Sequence, residues 1–214
     1  GDDQGVSNRS KLSGSIPLGK DSTSKWMLNT KAELEVLQRN FSPIEQYRSV
    51  EFDRDWNTRN KGFIGNQLNS AVVADFRHKK NGNLAIEASQ YSIGSDYLGL
   101  KSRLFGRWEQ RGFRANWEGS FLSSESIEKN QFLRHKVDVS QAFKKVRFGY
   151  KDDHERNLYS AGDLLSPLSY QFFDYEFYVA SADSSKLNYK LFYRERFDQR
   201  SDSTVLINVA KARN

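Results

Sequence analysis

The chain carries 33 basic and 27 acidic residues among 214, a net charge of +6, and has no cysteine. That length suits one substantial domain, and the missing thiols exclude disulfides, thiolate nucleophiles and cysteine-based zinc sites. Basic and acidic residues are interleaved and no run approaches the ~18 consecutive apolar residues of a spanning helix, so neither a nucleic-acid partner nor a helical membrane anchor is expected.

Residues 1–24, GDDQGVSNRSKLSGSIPLGKDSTS, are rich in Ser, Gly and Asp and show no apolar periodicity. They read as a flexible polar tail or linker, and the polar start reads as that of a mature protein or a fragment. From Lys25 onward the period is two. Trp26, Leu28, Thr30, Ala32, Leu34 and Val36 alternate with Asn29, Lys31, Glu33 and Glu35, the signature of a strand with one apolar face. Residues 25–214 are therefore assigned to a single antiparallel β domain.

EFDRDWN (51–57) reads as a strand with Glu51, Asp53 and Asp55 on one face, ~6.6 Å apart. That spacing suits paired carboxylates, and Asp53, Asp55 and Asn57 imitate the start of a calcium loop. The imitation fails at Thr58, where such a loop needs Gly, and at Ile64, where it needs Glu. The face is expected to be solvated or salt-bridged, with neither metal nor catalysis.

Four hairpins can be registered by their side chains. In AVVADFRHKKNGNLAIEAS a loop at Lys80-Asn81-Gly82 sets Phe76 against Ile86 and Ala74 against Ala88, with Gly82 in a left-handed conformation. In LFGRWEQRGFRANWEGSF a turn at Gln110-Arg111 sets Trp108 against Phe113, Leu104 against Trp117 and Arg103 against Glu118. In VDVSQAFKKVRFGY, Val139 meets Val146 and Val137 meets Phe148. In QFFDYEFYVASADSSKLNYKLFYRERFDQR a loop at Asp183-Ser184-Ser185 sets Val179 against Tyr189, Phe177 against Leu191 and Tyr175 against Tyr193, with Asp174 facing Arg194 on the other side.

KDDHE (151–155) follows RFGYK and reads as a polar hairpin tip. His78 and His135 sit beside apolar strand positions, lack nearby ligand partners in the sequence and are expected to be packed or interfacial. Gln38–Tyr47 and Leu158–Leu168 read as longer loops. The pattern predicts an all-β fold, an antiparallel up-and-down meander of about eleven strands forming a barrel or barrel-like sheet. Many strands are longer than the usual ~5–6 residues.

The run NLYSAGDLLSPLSYQFFDYEFYVASADSSKLNYKLFYRERFDQR, with YRSVEFDRDWN, resembles segments of large, strand-rich, mostly uncharacterised envelope proteins of Bacteroidota. That resemblance implies an envelope location (outer membrane, surface or periplasm) and a chain continuing beyond this piece. It brings no catalytic residues.

One apolar and one charged face fit two arrangements. In an outer-membrane barrel the apolar side meets lipid and the charged side lines a wet lumen. In a soluble barrel or sandwich the apolar side points inward and packs or holds a ligand. Long strands, charge-rich opposite faces and aromatics near strand ends favour the first. The expectation is a non-catalytic structural β segment of a bacterial envelope protein; the alternative is a soluble module binding a lipid or glycan. In either case Trp108, Phe113, Trp117, Tyr175, Phe177, Tyr189 and Tyr193 are the expected contact residues. The partner is lipid, the outer-membrane surface or the rest of a larger envelope protein. No GxSxG, phosphate loop, HExxH or dinucleotide fingerprint occurs, and no cofactor or metal is expected. The basic and aromatic mixture in KSRLFGRWEQRGFR is read as a hairpin with one basic face, because Trp108 and Phe113 are needed on the apolar side.

Overall fold

A computed structural model describes residues 5–19, 25–41, 52, 55–56, 58, 64–126, 128–161, 164–165, 170–182 and 188–200. Ten long strands run as one antiparallel meander in chain order: β1 (Ser7–Pro17), β2 (Trp26–Leu37), β3 (Gln67–His78), β4 (Gly82–Ile93), β5 (Tyr97–Gln110), β6 (Phe113–Glu125), β7 (Lys129–Phe143), β8 (Val146–Ala161), β10 (Tyr170–Ser181) and β11 (Lys190–Arg200). A two-residue β9 (Leu164–Leu165) pairs only with β8. The predicted all-β meander is the observed fold. The sheet does not close among the described residues: the hydrogen-bonded path begins at β1 and ends at β11.

The segment read as a tail supplies a whole strand. β1 is an exposed edge strand with few apolar residues to betray it, and what holds it is the ladder to β2. Arg9 Nη2 and Lys11 Nζ lie 3.6 and 3.2 Å from the Glu33 carboxylate. Pro17 ends the strand, as a residue without a ladder donor does at an edge.

All four predicted registers slip, each by an even number of residues. In the second hairpin Arg111 and Gly112 both take positive φ (49° and 81°), the two-residue turn whose twist matches paired strands. Trp108 then opposes Ala115 and Trp117 opposes Gly106. In the first, the loop is Lys79–Lys80–Asn81, so Phe76 opposes Leu84 and Ala74 opposes Ile86. Gly82 does have positive φ, and its reason is close approach: a Cβ there would sit 1.8 Å from the Arg107 carbonyl oxygen. In the third, the strands zip to a two-residue connection, so Val139 opposes Tyr150 and Val137 opposes Asp152. In the fourth, Val179 opposes Leu191, Phe177 opposes Tyr193 and Tyr175 opposes Glu195. Even slips keep each side chain on its expected face, because strand side chains alternate with period two.

Two further expectations change. KDDHE lies within β8 rather than at a tip, and β8 continues through Leu158–Ala161, the start of the span expected to be a loop. EFDRDWN is not a strand where it is described. Phe52, Asp55 and Trp56 form a helical turn in which the Trp56 N–H donates to the Phe52 carbonyl (3.0 Å). Glu51, Asp53 and Asn57 lie outside the described residues.

The two faces divide sharply. One, here called outward, carries Leu28, Leu34, Ile86, Leu104, Trp117, Val139, Phe177 and Leu191 and their neighbours at even spacing. On β1–β5 that face bears no Asp, Glu, Lys or Arg. The other, inward, carries the charges. Every polar or charged residue found buried among the described residues, Glu35, Ser124, Asn130, Ser140, Glu155, Asn157 and Asp174, points inward. A sheet curled toward its charged side accounts for such crowding without a second layer above it.

The apolar core is small and sits at one end of the inward face. Trp56 from the β2–β3 connection packs on Tyr91 (ring centroids 5.5 Å apart), with Ile93, Tyr97 and Leu122 around it and Phe52 and Phe132 at the margin. The Tyr97 hydroxyl donates to the Trp56 carbonyl. Gly99 leaves the room the indole needs, since a Cβ there would come within 2.9 Å of the ring.

Candidate functional site

The outward face inverts the burial of an ordinary soluble domain. Among the described residues, every large apolar strand side chain left exposed lies on it, except Phe192. Leu12 is 75% exposed, Leu191 66% and Phe177 53%. Contiguous apolar surface of this kind marks an interface or a membrane contact.

Six of the seven predicted contact residues lie on this one face, in three neighbourhoods, and Tyr189 stands just before β11, where its carbonyl accepts the Ser181 N–H. Trp108 stacks on Trp26 at 5.8 Å and 20°, and His78 fills the angle between them, 4.9 Å from Trp26. His78 Nδ1 also accepts the Asn81 N–H at 3.1 Å, so this histidine is packed as expected. Phe113 and Trp117 follow on β6. Trp117 lies over Gly106, where an added Cβ would come within 2.5 Å of the indole, so the glycine is the seat of the ring.

Tyr175, Phe177, Tyr189 and Tyr193 lie on and beside β10 and β11. Phe177 meets Tyr150 at 4.9 Å and Tyr175 at 6.0 Å, and Tyr175 stacks on Phe197 at 6.2 Å. The hydroxyls of Tyr175 and Tyr193 both donate to Glu195, the latter at 2.8 Å, so this acid is held by phenols. Phe197 and Glu195 were not singled out in the sequence, whereas Tyr150 stood out only as an aromatic near a strand end. Their alternation with the named residues was the available signal.

Where β7 and β8 cross the lower edge of the aromatic patch, the face turns polar. His135 and His154 are cross-strand partners with rings 5.1 Å apart. His135 Nε2 lies 2.8 Å from Asp152 Oδ2, and His154 stacks on Phe173 at 4.0 Å. His135, read as lacking partners, thus has one. The predicted register opposed it to Tyr150 and hid the pair. Lys151, Asp153 and Glu155 point inward while Asp152 and His154 point outward, so the KDDHE residues do not converge. No group of three or more His, Cys, Asp or Glu that could hold a metal occurs among the described residues.

The inward face is a mesh of cross-strand ion pairs. Arg103 reaches Glu118 at 2.8 Å and Glu87 at 3.9 Å. Lys136 meets Asp153 at 3.0 Å, Lys151 meets Asp138 at 3.6 Å, and Arg194 holds Asp174 through Nε (2.8 Å) and Nη2. Asp55 from the helical turn pairs with Lys101 at 3.1 Å. A cavity of about 690 Å³ opens on this side, with Arg103, Arg107, Lys136, Asp138, Asp174 and Arg194 in its wall. Charges of both signs close together suit a wet, polar compartment, since unpaired charges could not be desolvated there.

No family model, curated protein or solved structure matches the chain.

Proposed function

We propose that the chain is a non-catalytic structural segment of a β-barrel in a bacterial cell envelope, with its apolar face toward lipid and its charged face lining a water-filled interior. One observation carries this reading: exposed large apolar side chains gather on one face while buried polar side chains gather on the other. Water rewards the opposite distribution, and lipid rewards this one. Strands of 11–16 residues are long enough for the ~9–11 that a tilted spanning strand needs. Backbone pairing between neighbours leaves no ladder group of the interior strands to lipid. The envelope location and bacterial origin rest on the resemblance of the aromatic strand runs.

A soluble module holding a lipid or glycan on its aromatic face would want that face concave. Here the cavity lies on the charged side, which favours the barrel reading.

The absence of cysteine makes single-site labelling clean. A fluorophore on Phe177→Cys should be quenched by brominated lipid in liposomes and shielded from iodide, whereas one on Glu176→Cys should show the reverse. Shielding of position 177 from both quenchers would mean a protein core, and the soluble module would replace the barrel.

A further inference from the structure

Among the described residues no strand pairs with the far edge of β11. β11 matches β10 residue for residue over eleven positions, without a bulge and without proline, so nothing in it blunts the edge. In lipid an open edge leaves backbone donors and acceptors unsatisfied.

Charge says what fits there. Among the inward positions of β11 whose side chains are described, Lys190, Arg194 and Arg196 stand against Asp198 alone, three cations to one acid. β10 answers with Asp174 and Glu176. Yet the side chains of Lys190, Arg194 and Arg196 remain 41, 54 and 40% exposed. A guanidinium has donors enough to bridge carboxylates on both sides. The opposite edge of the sheet, β1, offers Arg9 and Lys11 inward and no acid. Closing β1 on β11, or joining β11 to either edge of a second copy, would bring mostly cations together, with Asp198 the one acid that the described inward side chains of the two edges supply.

We infer that the open edge of β11 docks a further strand, acidic at its inward positions and apolar at its outward ones. The placing of that strand rests on the barrel reading; its charge preference does not.

The test uses the full 214-residue chain in detergent micelles with a fluorophore at Gln199→Cys. The probes are two eleven-residue peptides of identical apolar alternation, one with Glu and one with Lys at the intervening positions. The Glu peptide should bind saturably and at least tenfold more tightly than the Lys peptide, with the difference shrinking as salt rises. A fluorophore at Ser70→Cys on β3 should not respond. Arg194→Gln with Arg196→Gln should erase the preference, and Arg103→Gln on β5 should keep it. Where the double variant fails to fold, the salt dependence of the unsubstituted chain decides. Equal affinities, a preference for Lys, or an equal response at Ser70 would overturn the inference. So would a disulfide between Leu12→Cys and Tyr193→Cys, whether it closes one chain or joins two. A Glu preference without lipid quenching at position 177 would leave the edge inference standing and remove the barrel reading.

Discussion

Arg194 does not stand opposite Asp174, yet it is the residue that holds it. The register pairs Asp174 with Arg196, while Arg194, one inward position away, donates from Nε at 2.8 Å and from Nη2 to the two carboxylate oxygens. Arg196 stays 4.0 Å off and turns to Asp198. The two-pronged contact outweighs directness, because two aligned charge-assisted bonds are stronger than one looser pair.

Asp174 is nearly buried and Arg194 about half exposed, so removing the acid should hurt more than altering the base. Asp174→Ala leaves two guanidiniums without their shared carboxylate and should cost about 2–3 kcal/mol. Arg194→Lys, which keeps the charge but loses the fork, should cost about 1 kcal/mol. Urea unfolding midpoints of the two variants check this. Equal losses would mean that the pair acts only through its charge.

Face assignment predicts an asymmetry that depends on the solvent. Ile86 points outward from the middle of β4 and Ser89 points inward on the same strand. In bilayers Ile86→Lys should destabilise by roughly 2–4 kcal/mol, the cost of a cation on a lipid-facing position, and Ser89→Lys should stay within about 1 kcal/mol. Folding yields into liposomes across a urea series would measure both. Similar penalties for the two would contradict the lipid-facing assignment.

How far the sequence carried the structure can be seen in single residues. The period of two placed Phe177 and Glu176 on opposite faces correctly, because side-chain direction is set locally. The pairing was less legible, since it depends on turn conformation. A left-handed Arg111 is a choice the side chain does not advertise, and it moved Trp108 from Phe113 to Ala115. β1 was missed because hydrogen bonds and the Arg9 and Lys11 contacts to Glu33 hold it, with only Leu12 and Ile16 to mark its apolar side. The helical turn of Phe52, Asp55 and Trp56 was missed because the alternating acids suggested a strand. Phe52 and Trp56, four apart, were the competing helical signal.

Two glycines of the same sheet should respond oppositely to a methyl group. Gly106→Ala drives a Cβ to 2.5 Å from the Trp117 ring and 2.6 Å from the Asn83 carbonyl oxygen, and the backbone atom cannot swing away. A loss of about 2 kcal/mol or more is expected, together with a blue or red displacement of indole emission as Trp117 is moved. Gly119→Ala meets only the Leu104 carbonyl oxygen at 3.9 Å and should be neutral or stabilising by up to ~1 kcal/mol. Thermal melts of the pair give the answer, and a damaging Gly119→Ala would show that the sheet is more tightly packed there than its geometry implies.

The last expectation concerns the turn that carries Trp56. Its indole is 5% exposed and touches Tyr91, while its carbonyl accepts the Tyr97 hydroxyl, so the β2–β3 connection is fastened to the β4–β5 end of the sheet by both packing and a hydrogen bond. The Lys101–Asp55 pair beside it has a half-exposed acid and should add little, about 0–1 kcal/mol. Trp56→Ala empties a site shaped for an indole by Gly99 and should cost about 3–5 kcal/mol of local stability, whereas Lys101→Ala should be nearly silent. Because the core cluster is confined to this end, the loss should also be confined. Hydrogen exchange should quicken at Tyr91–Gly99 and remain unchanged at the β7–β8 turn around Lys144. Uniform acceleration along all strands would mean that Trp56 supports the whole sheet, and no acceleration at Tyr91–Gly99 would mean that the turn rests on the sheet without holding it.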